Sequence, residues 1–458
     1  MIPEVTRPAA FFLCLLLCAG SQGASPNIVL IISDDQAWTD FGFMGHAVIR
    51  TPNLDRLARQ SVVFERGYVP TSLCRPSLAS IITGLYPHQH RIVGNDPSVP
   101  MKKKGKAYYR DPVYRHRNAA LISNIDRVAT LPRLLSLKGY VSHQSGKWWE
   151  GNYSRGGFTE GMTHGDPDRG GRHGDSGLAI GRKGMGEVLE FIDRAHEAKR
   201  PFFVWYAPFL PHTPHDPPDR LLSHYRSADR PIEIARYYAM CEWFDESCGE
   251  LLDHLDKRQL NDETLVVFVV DNGWIQRTPA VNVPQGWKVR FAPGSKQSPM
   301  DGGLRTPIMF KWPGKLTPRR ERTLVSSIDL APTILAASGA KAPADMPGIN
   351  LLEIAAGRKT TRTAIFGELF AHDVADIASP THSLLYRWCI EGRWKLIKPE
   401  DGITGRYHAI HAGRSRTPQL YDVVADPLEK NNLAAKKPEI VTHLQERIDD
   451  WWKPTLKH

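Results

Sequence analysis

Two uninterrupted apolar runs constrain this chain most. Asn27–Ser33 (NIVLIIS) and Thr264–Val270 (TLVVFVV) show no alternation of polar and apolar residues. A strand that meets water on one side alternates, whereas a strand covered on both sides does not. Each run therefore reads as a central strand of a parallel sheet. Val62–Tyr68, Tyr140–Ser145 and Phe202–Ala207 read as further strands. Helical patterns lie between them at Pro52–Gln60, Leu131–Lys138, Glu187–Lys199 and Glu233–Lys257. Strand alternating with helix predicts a mostly parallel α/β sheet with helices on both faces. Such sheets gather ligands beyond the carboxyl ends of their strands.

Acidic and amide side chains stand at those ends. Asp34-Asp35 follows the first apolar run, and Asp271-Asn272-Gly273 follows the second. Adjacent carboxylates repel, and a bound cation is the simplest reason to hold them together. Three carboxylates and an amide, with no imidazole or thiol, suit a hard ion such as Ca²⁺ or Mg²⁺.

A second focus is Thr71–Gly84 (TSLCRPSLASIITG). Pro76 suits the first turn of a helix, Leu78, Ile81 and Ile82 form its apolar stripe, and Gly84 ends it. Cys74 then heads the helix, where free N–H groups and the positive dipole end favour a thiolate. Removing an export signal at Met1–Gly23 leaves Cys74, Cys241, Cys248 and Cys389. Cys241 and Cys248 are two helical turns apart, about 10 Å, too far to bridge. Buried free thiols are expected rather than a disulfide scaffold.

The signal is read from Arg7, the apolar run Ala9–Ala19 and the small residues after it. That run is too short to span a bilayer. The mature chain is expected to be exported, periplasmic or secreted, and free of the membrane once the signal is cleaved. The net charge is +10, an excess of base that can draw anionic substrates or equally be a solvated surface, and no nucleic-acid motif accompanies it. Two polar stretches, His88–Asp126 and Gly151–Gly184, read as walls of a substrate pocket. Past Thr361 the character changes. Leu384–Pro399 reads as two antiparallel strands turning at Glu391-Gly392, Gln419–Val424 as another, and Pro438–Trp452 as a closing helix. The expected division is residues 1–23 signal, 24–360 main domain and 361–458 C-terminal subdomain.

The Cys74 stretch resembles the sulfatase signature, Cys-x-Pro-Ser-Arg followed by a short apolar helix ending Thr-Gly. Cys74, Pro76, Ser77, Thr83 and Gly84 match, while Leu78 stands where the signature has arginine. Asp34, Asp35, Asp40 and Gly42 are similar to the family's first motif, and Asp271 and Asn272 to its second metal pair. Gly146–Gly151 resembles Gly-Lys-Trp-His-Leu-Gly, with Lys147 retained and Trp149 in place of histidine. Pro211–Pro214 resembles Pro-His-x-Pro and nominates His212. Lys296 precedes Asp301-Gly302-Gly303-Leu304-Arg305-Thr306-Pro307, which resembles Glu-Gly-Gly-x-Arg-x-Pro with Asp301 for glutamate. Leu420–Ala434 resembles the family's carboxyl-terminal segment.

The resemblance implies an alkaline-phosphatase-like α/β sandwich with a small antiparallel C-terminal subdomain. It implies hydrolysis of an organic sulfate ester, in a sulfated small molecule or polysaccharide. The nucleophile would be formylglycine, made from Cys74 by a separate formylglycine-generating enzyme. Ca²⁺ would be held by Asp34, Asp35, Asp271, Asn272 and the group made from Cys74. Lys147, Lys296 and His212 would neutralise charge or protonate the departing alcohol. Arg75 is a poor stand-in for the missing arginine, because the next residue of a helix points about 100° away. His143 or His215 could replace the missing histidine. Two rival readings are a phosphonate or phosphodiester hydrolase of the same fold and a sulfated-glycan-binding protein without catalysis.

Overall fold

The computed structural model describes residues 25–100 and 105–455. The stretch Met1–Gly23, expected to be an export signal, and Lys102–Lys104 lie outside the described residues. Six principal strands build the main sheet: β1 (Asn27–Ser33), β2 (Val62–Tyr68), β3 (Val141–Gly146), β4 (Phe202–Ala207), β5 (Thr264–Val270) and β6 (Arg305–Lys311). Their spatial order is β2-β6-β5-β1-β4-β3, and three short edge strands complete nine. The core pairings of β1 with β4 and β5, and of β3 with β4, are parallel. β6 runs antiparallel to both its neighbours.

Two-sided burial explains the apolar runs. Ile28, Leu30 and Ile32 of β1 enter one buried cluster, and Val29 and Ile31 enter another on the opposite face. Successive side chains of a strand point to opposite faces, so neither set is free to be polar. Burying each such side chain stabilises the fold by about 1.5–3 kcal/mol.

A second, four-stranded antiparallel sheet follows: β7 (Ala364–Phe370), β8 (Leu384–Glu391), β9 (Trp394–Pro399) and β10 (Gln419–Asp422), in that order. The closing helix, Pro438–Trp451, lays Leu444 and Ile448 on Cys389, Leu396 and Leu420. The architecture is the alkaline-phosphatase-like α/β fold, with its small antiparallel sheet at the carboxyl end. Cys74, Cys241, Cys248 and Cys389 are all free and buried.

Three features depart from the sequence reading. β6 was not anticipated, because its residues read as a motif rather than a strand. The stretch His88–Asp126 contains a helix, Pro112–Ile122. Asp111 caps it, accepting from Val113 N at 2.8 Å, yet only Tyr114 and Leu121 are buried along it. A helix with so narrow an apolar face leaves little periodic signal. The Cys74 helix (Cys74–Thr83) is buried on every side rather than along one stripe, and Gly84 ends it in the left-handed region at φ 68°.

Candidate active site

The carboxyl ends of the parallel strands converge on one place. Ser33 and Val270 are partners in register, so Asp34-Asp35 and Asp271-Asn272 leave the sheet side by side. Lys147 follows β3 directly. Its approach depends on Gly146, at φ 81°, where a Cβ would lie 1.8 Å from Ala207 O. His212 stands five residues beyond β4, and Lys296 sits in the connection from β5 to β6. The Cys74 helix is moored from below by Ser77 Oγ, which donates to Asp271 O at 2.5 Å.

These side chains meet. Lys296 Nζ lies 2.8 Å from Cys74 Sγ and 2.5 Å from Asp35 Oδ1. Lys147 Nζ donates to Asp34 Oδ1 at 2.8 Å and stands 3.9 Å from Asp271 Oδ2. Asn272 Nδ2 donates to Asp35 Oδ1 at 2.7 Å. His212 places Nε2 3.4 Å from Asp35 Oδ2, while its Nδ1 lies 2.6 Å from Thr213 O. Asp34, Asp35, Cys74, Lys147, His212, Asp271, Asn272 and Lys296 therefore share one cluster.

Burial governs its protonation. Burial raises Asp34 and Asp271 above the usual carboxylate range, with Lys147 opposing the shift. It lowers His212 well below the ordinary imidazole value, and Lys147 and Lys296 push the same way. Burial alone would lower Lys296, but Asp35 beside it holds the ammonium above its usual value. The Cys74 thiol is pushed up to about 11 by burial, against the pull of Lys147 and Lys296. This corrects the thiolate expected from the helix N-terminus: desolvation outweighs the dipole here.

The donor set fits a divalent cation. Asp34 Oδ2, Asp35 Oδ2, Asp271 Oδ2 and Asn272 Oδ1 are buried without hydrogen-bond partners. Each such atom costs about 1–3 kcal/mol if left unsatisfied. Asp34, Asp35, Cys74 and His212 also bring ligand atoms within 4.8 Å of one another. A neutral His212 whose Nδ1–H serves Thr213 turns its Nε2 lone pair towards Asp35 Oδ2. Two acceptors so close require a positive charge or a proton between them.

Above the cluster opens a cavity of about 290 Å³ whose lining includes Cys74, Asn95, Trp149, His173, His372 and Gln297. Its walls draw on both polar stretches named from sequence, through Asn95 and Tyr109 and through Arg172 and His173. Arg172 lies between two rings, 4.6 Å from that of Trp149 and 4.9 Å from that of Tyr109. Its guanidinium grips Asp96 at 2.8 and 2.7 Å. Arg406 grips Asp373 and also reaches Asp96 at 2.9 Å. Asp96, His372 and Asp373 could otherwise hold a metal, but two guanidinium groups already compensate them.

Sequence reasoning missed His372 and Gln297, and named His173 only as part of the Gly151–Gly184 pocket wall. His173 packs edge-on to Trp149, with Nδ1 buried and unpaired. His372 is held by Asp373 Oδ1, 2.7 Å from Nδ1. Its Nε2 is 3.4 Å from Asn95 Nδ2, and Asn95 Oδ1 accepts from Arg75 N at 3.0 Å. Gln297 leaves a buried Oε1 without a partner. Its place next to Lys296 was the signal available for it. The two histidines suggested from sequence are elsewhere. His143 packs on Phe191 away from the cavity, and His215 packs on Tyr237 and Trp274 and lines an adjoining one.

The departures from the signature also find their places. Leu78 and Trp149 belong to the same buried apolar cluster as Cys74. Arg75 turns away from Cys74 and pairs with Glu150 at 2.8 and 2.7 Å, as the helical angle requires. Asp301 lies outside the cavity; Lys395 holds it at 2.8 Å and its carboxylate accepts from Tyr68 OH at 3.0 Å.

Comparison with known proteins agrees with this geometry. The Sulfatase family matches residues 26–340, and the C-terminal region of N-sulphoglucosamine sulphohydrolase matches residues 295–453. The chain belongs to the sulfatase family, whose members are sulfuric ester hydrolases. N-acetylgalactosamine-6-sulfatase of Canis lupus familiaris is 27% identical over 494 residues, covering 96% of this chain and 89% of its own. A structure solved in complex with its substrate D-glucosamine-2-N,6-O-disulfate superposes with a TM-score of 0.68 at 17% identity, covering 93% of this chain and 97% of its own. The phosphonate monoester hydrolase of Agrobacterium radiobacter also superposes at 0.68, with 19% identity and coverage of 93% and 95%. The fold alone therefore does not choose the anion.

Proposed function

We propose that this chain is an exported, Ca²⁺-dependent sulfatase that hydrolyses a sulfate ester of a carbohydrate, using formylglycine made from Cys74. One observation carries the reading: Cys74 Sγ, two lysine ammonium groups and four oxygens without hydrogen-bond partners form one buried cluster, and Cys74, Asp35 and Lys296 of that cluster line the cavity. The carbohydrate assignment is supported by the sulfated amino sugars named for the canine relative and for the solved complex.

Asp34, Asp35, Asp271 and Asn272 would hold the Ca²⁺, which when bound supplies positive charge against a sulfate oxygen. Lys147 and Lys296 orient the sulfate and neutralise the charge that grows on it as the ester bond breaks. His212 presents Nε2 to the cavity, where its lone pair takes up the proton released by the attacking hydroxyl and then passes it to the departing alcohol oxygen. Tyr109 and Tyr407, both partly exposed, give the cavity aromatic rings against which a sugar ring can pack. The buried floor keeps water from competing for the lysines.

Peptide mass spectrometry on protein from its native host tests the maturation step. The expected peptide carries an aldehyde in place of the Cys74 thiol. Unmodified cysteine throughout, in a preparation that still cleaves sulfate esters, would place the nucleophile elsewhere. Cys74→Ala is expected to abolish sulfate release while keeping bound Ca²⁺.

A further inference from the structure

Between Asn272 and Lys296 the chain leaves the site and returns to it. On this excursion Gln276 and Phe291 form an antiparallel bridge, and Arg277 N donates to Arg290 O at 2.9 Å. Arg277 and Arg290 thus stand directly opposite each other across a short ribbon. Like charges so placed repel. Arg236, in the second turn of the helix Ile232–Lys257, faces the same space. The three arginines line a cavity of about 440 Å³ together with His215, Glu233 and Gln276, within the size range of small-ligand sites.

Among the described residues, no ion pair joins any of these three arginines to a carboxylate, Glu233 included. Arg277 Nη1 has one long hydrogen bond, 3.5 Å, to Trp287 O. Elsewhere on the walls of the Cys74 cavity the pattern differs, since Arg172 is fully engaged by Asp96. Arg290 lines both cavities, and His215 packs on Trp274, itself a wall of the first. The arginine cavity therefore adjoins the reacting site along one continuous surface.

We propose that Arg236, Arg277 and Arg290 form a second anion subsite, which binds a further sulfate or carboxylate of the carbohydrate chain whose ester reacts at Cys74. The identity of the ligand rests on the proposed function; the anion preference rests on the arginines themselves. A guanidinium offers a planar fork of donors matched to sulfate or carboxylate. An anion at this place removes the repulsion between Arg277 and Arg290. The substrate is then a polyanionic oligosaccharide held at two points, and a singly sulfated compound uses only the Cys74 cavity.

Two measurements on the intact chain decide this. The first is binding of a heparin-derived tetrasaccharide to Cys74→Ala protein, with and without Arg236→Ala and Arg277→Ala together. The second is turnover of 4-nitrocatechol sulfate by protein carrying the same pair in the Cys74 background. The pair is expected to weaken tetrasaccharide binding by about tenfold or more, the scale of lost charge-assisted hydrogen bonds. Turnover of the aryl sulfate should stay within about twofold of the parent, as fits arginines outside the reacting cavity. Replacing both with lysine should keep most of the affinity, since the charge remains. Unchanged tetrasaccharide affinity in the alanine pair overturns the subsite. Loss of both readouts together also overturns it, because the arginines would then be supporting the fold of the site. Should the parent cleave no sulfate ester, the proposed function fails, while the binding measurement still decides the subsite.

Discussion

Lys147 and Lys296 carry the same charge but stand in different company. Lys147 holds the Asp34 side of the cluster, whereas Lys296 touches both Asp35 and Cys74. Each is buried, so each works where little water screens it. Lys147→Ala and Lys296→Ala should each lower kcat by at least about 100-fold, the scale of removing one electrostatic stabiliser. The exposed Lys183→Ala should leave kcat unchanged, and equal small effects in all three would misplace the site. The acidic strand ends were legible because a cation demands oxygen ligands there, whereas Lys147, His212 and Lys296 were nominated through their resemblance to the family motifs. His372 was not legible, since nothing local marks a histidine whose value comes from a neighbour in another segment. His372 is oriented by Asp373 beside it and meets Asn95 only through the fold.

The Cys74 helix is held at its start by a buried pair. Arg75 binds Glu150 through two nitrogens and also donates to Asn118 Oδ1 at 3.1 Å. Removing one partner of a buried pair strands the other charge, which costs about 3–5 kcal/mol. Glu150→Gln should lower the denaturation midpoint accordingly, and a shift below about 1 kcal/mol would show that the pair is effectively solvated. A second joint links Pro52–Arg59 to the long helix Ile232–Lys257. Asp245 accepts from Leu54 N at 2.7 Å and from Asn53 N at 3.1 Å. Burial raises its carboxyl to about 7, although those hydrogen bonds oppose the shift. The unfolded carboxyl ionises near pH 4, the folded one near 7, so the unfolded state gains as pH rises between them. Wild-type stability relative to Asp245→Asn should fall across that window by up to about 1.4 kcal/mol per pH unit and level off above it. Parallel curves for the two proteins would show that Asp245 is already ionised when folded.

At the scale of the whole chain, the proposed metal site and the fold are linked. Asp34-Asp35 and Asp271-Asn272 terminate adjacent strands, so a cation held by both pairs ties β1 to β5. With free Ca²⁺ at a hundredfold excess over Kd, ligand linkage adds about 2.7 kcal/mol to stability. A chelator should lower Tm of the wild type and leave Asp271→Ala unmoved; no shift in the wild type would exclude a resident divalent ion. The two sheets are joined by another buried cluster, in which Lys395 meets Asp301 at 2.8 Å and Glu429 at 2.7 Å. From the residues alone one could read the parallel sheet, its acidic strand ends and the Cys74 helix, because burial on two faces forbids alternation and because chemistry selects residue types. The antiparallel β6, the helix at Pro112–Ile122 and the removal of Asp301 from the site were decided by tertiary structure. So were the protonation of Cys74 and the arginine cavity. Burial, the sharing of one carboxylate among distant cations and the absence of a partner are properties of a place in the fold, and no stretch of sequence contains them.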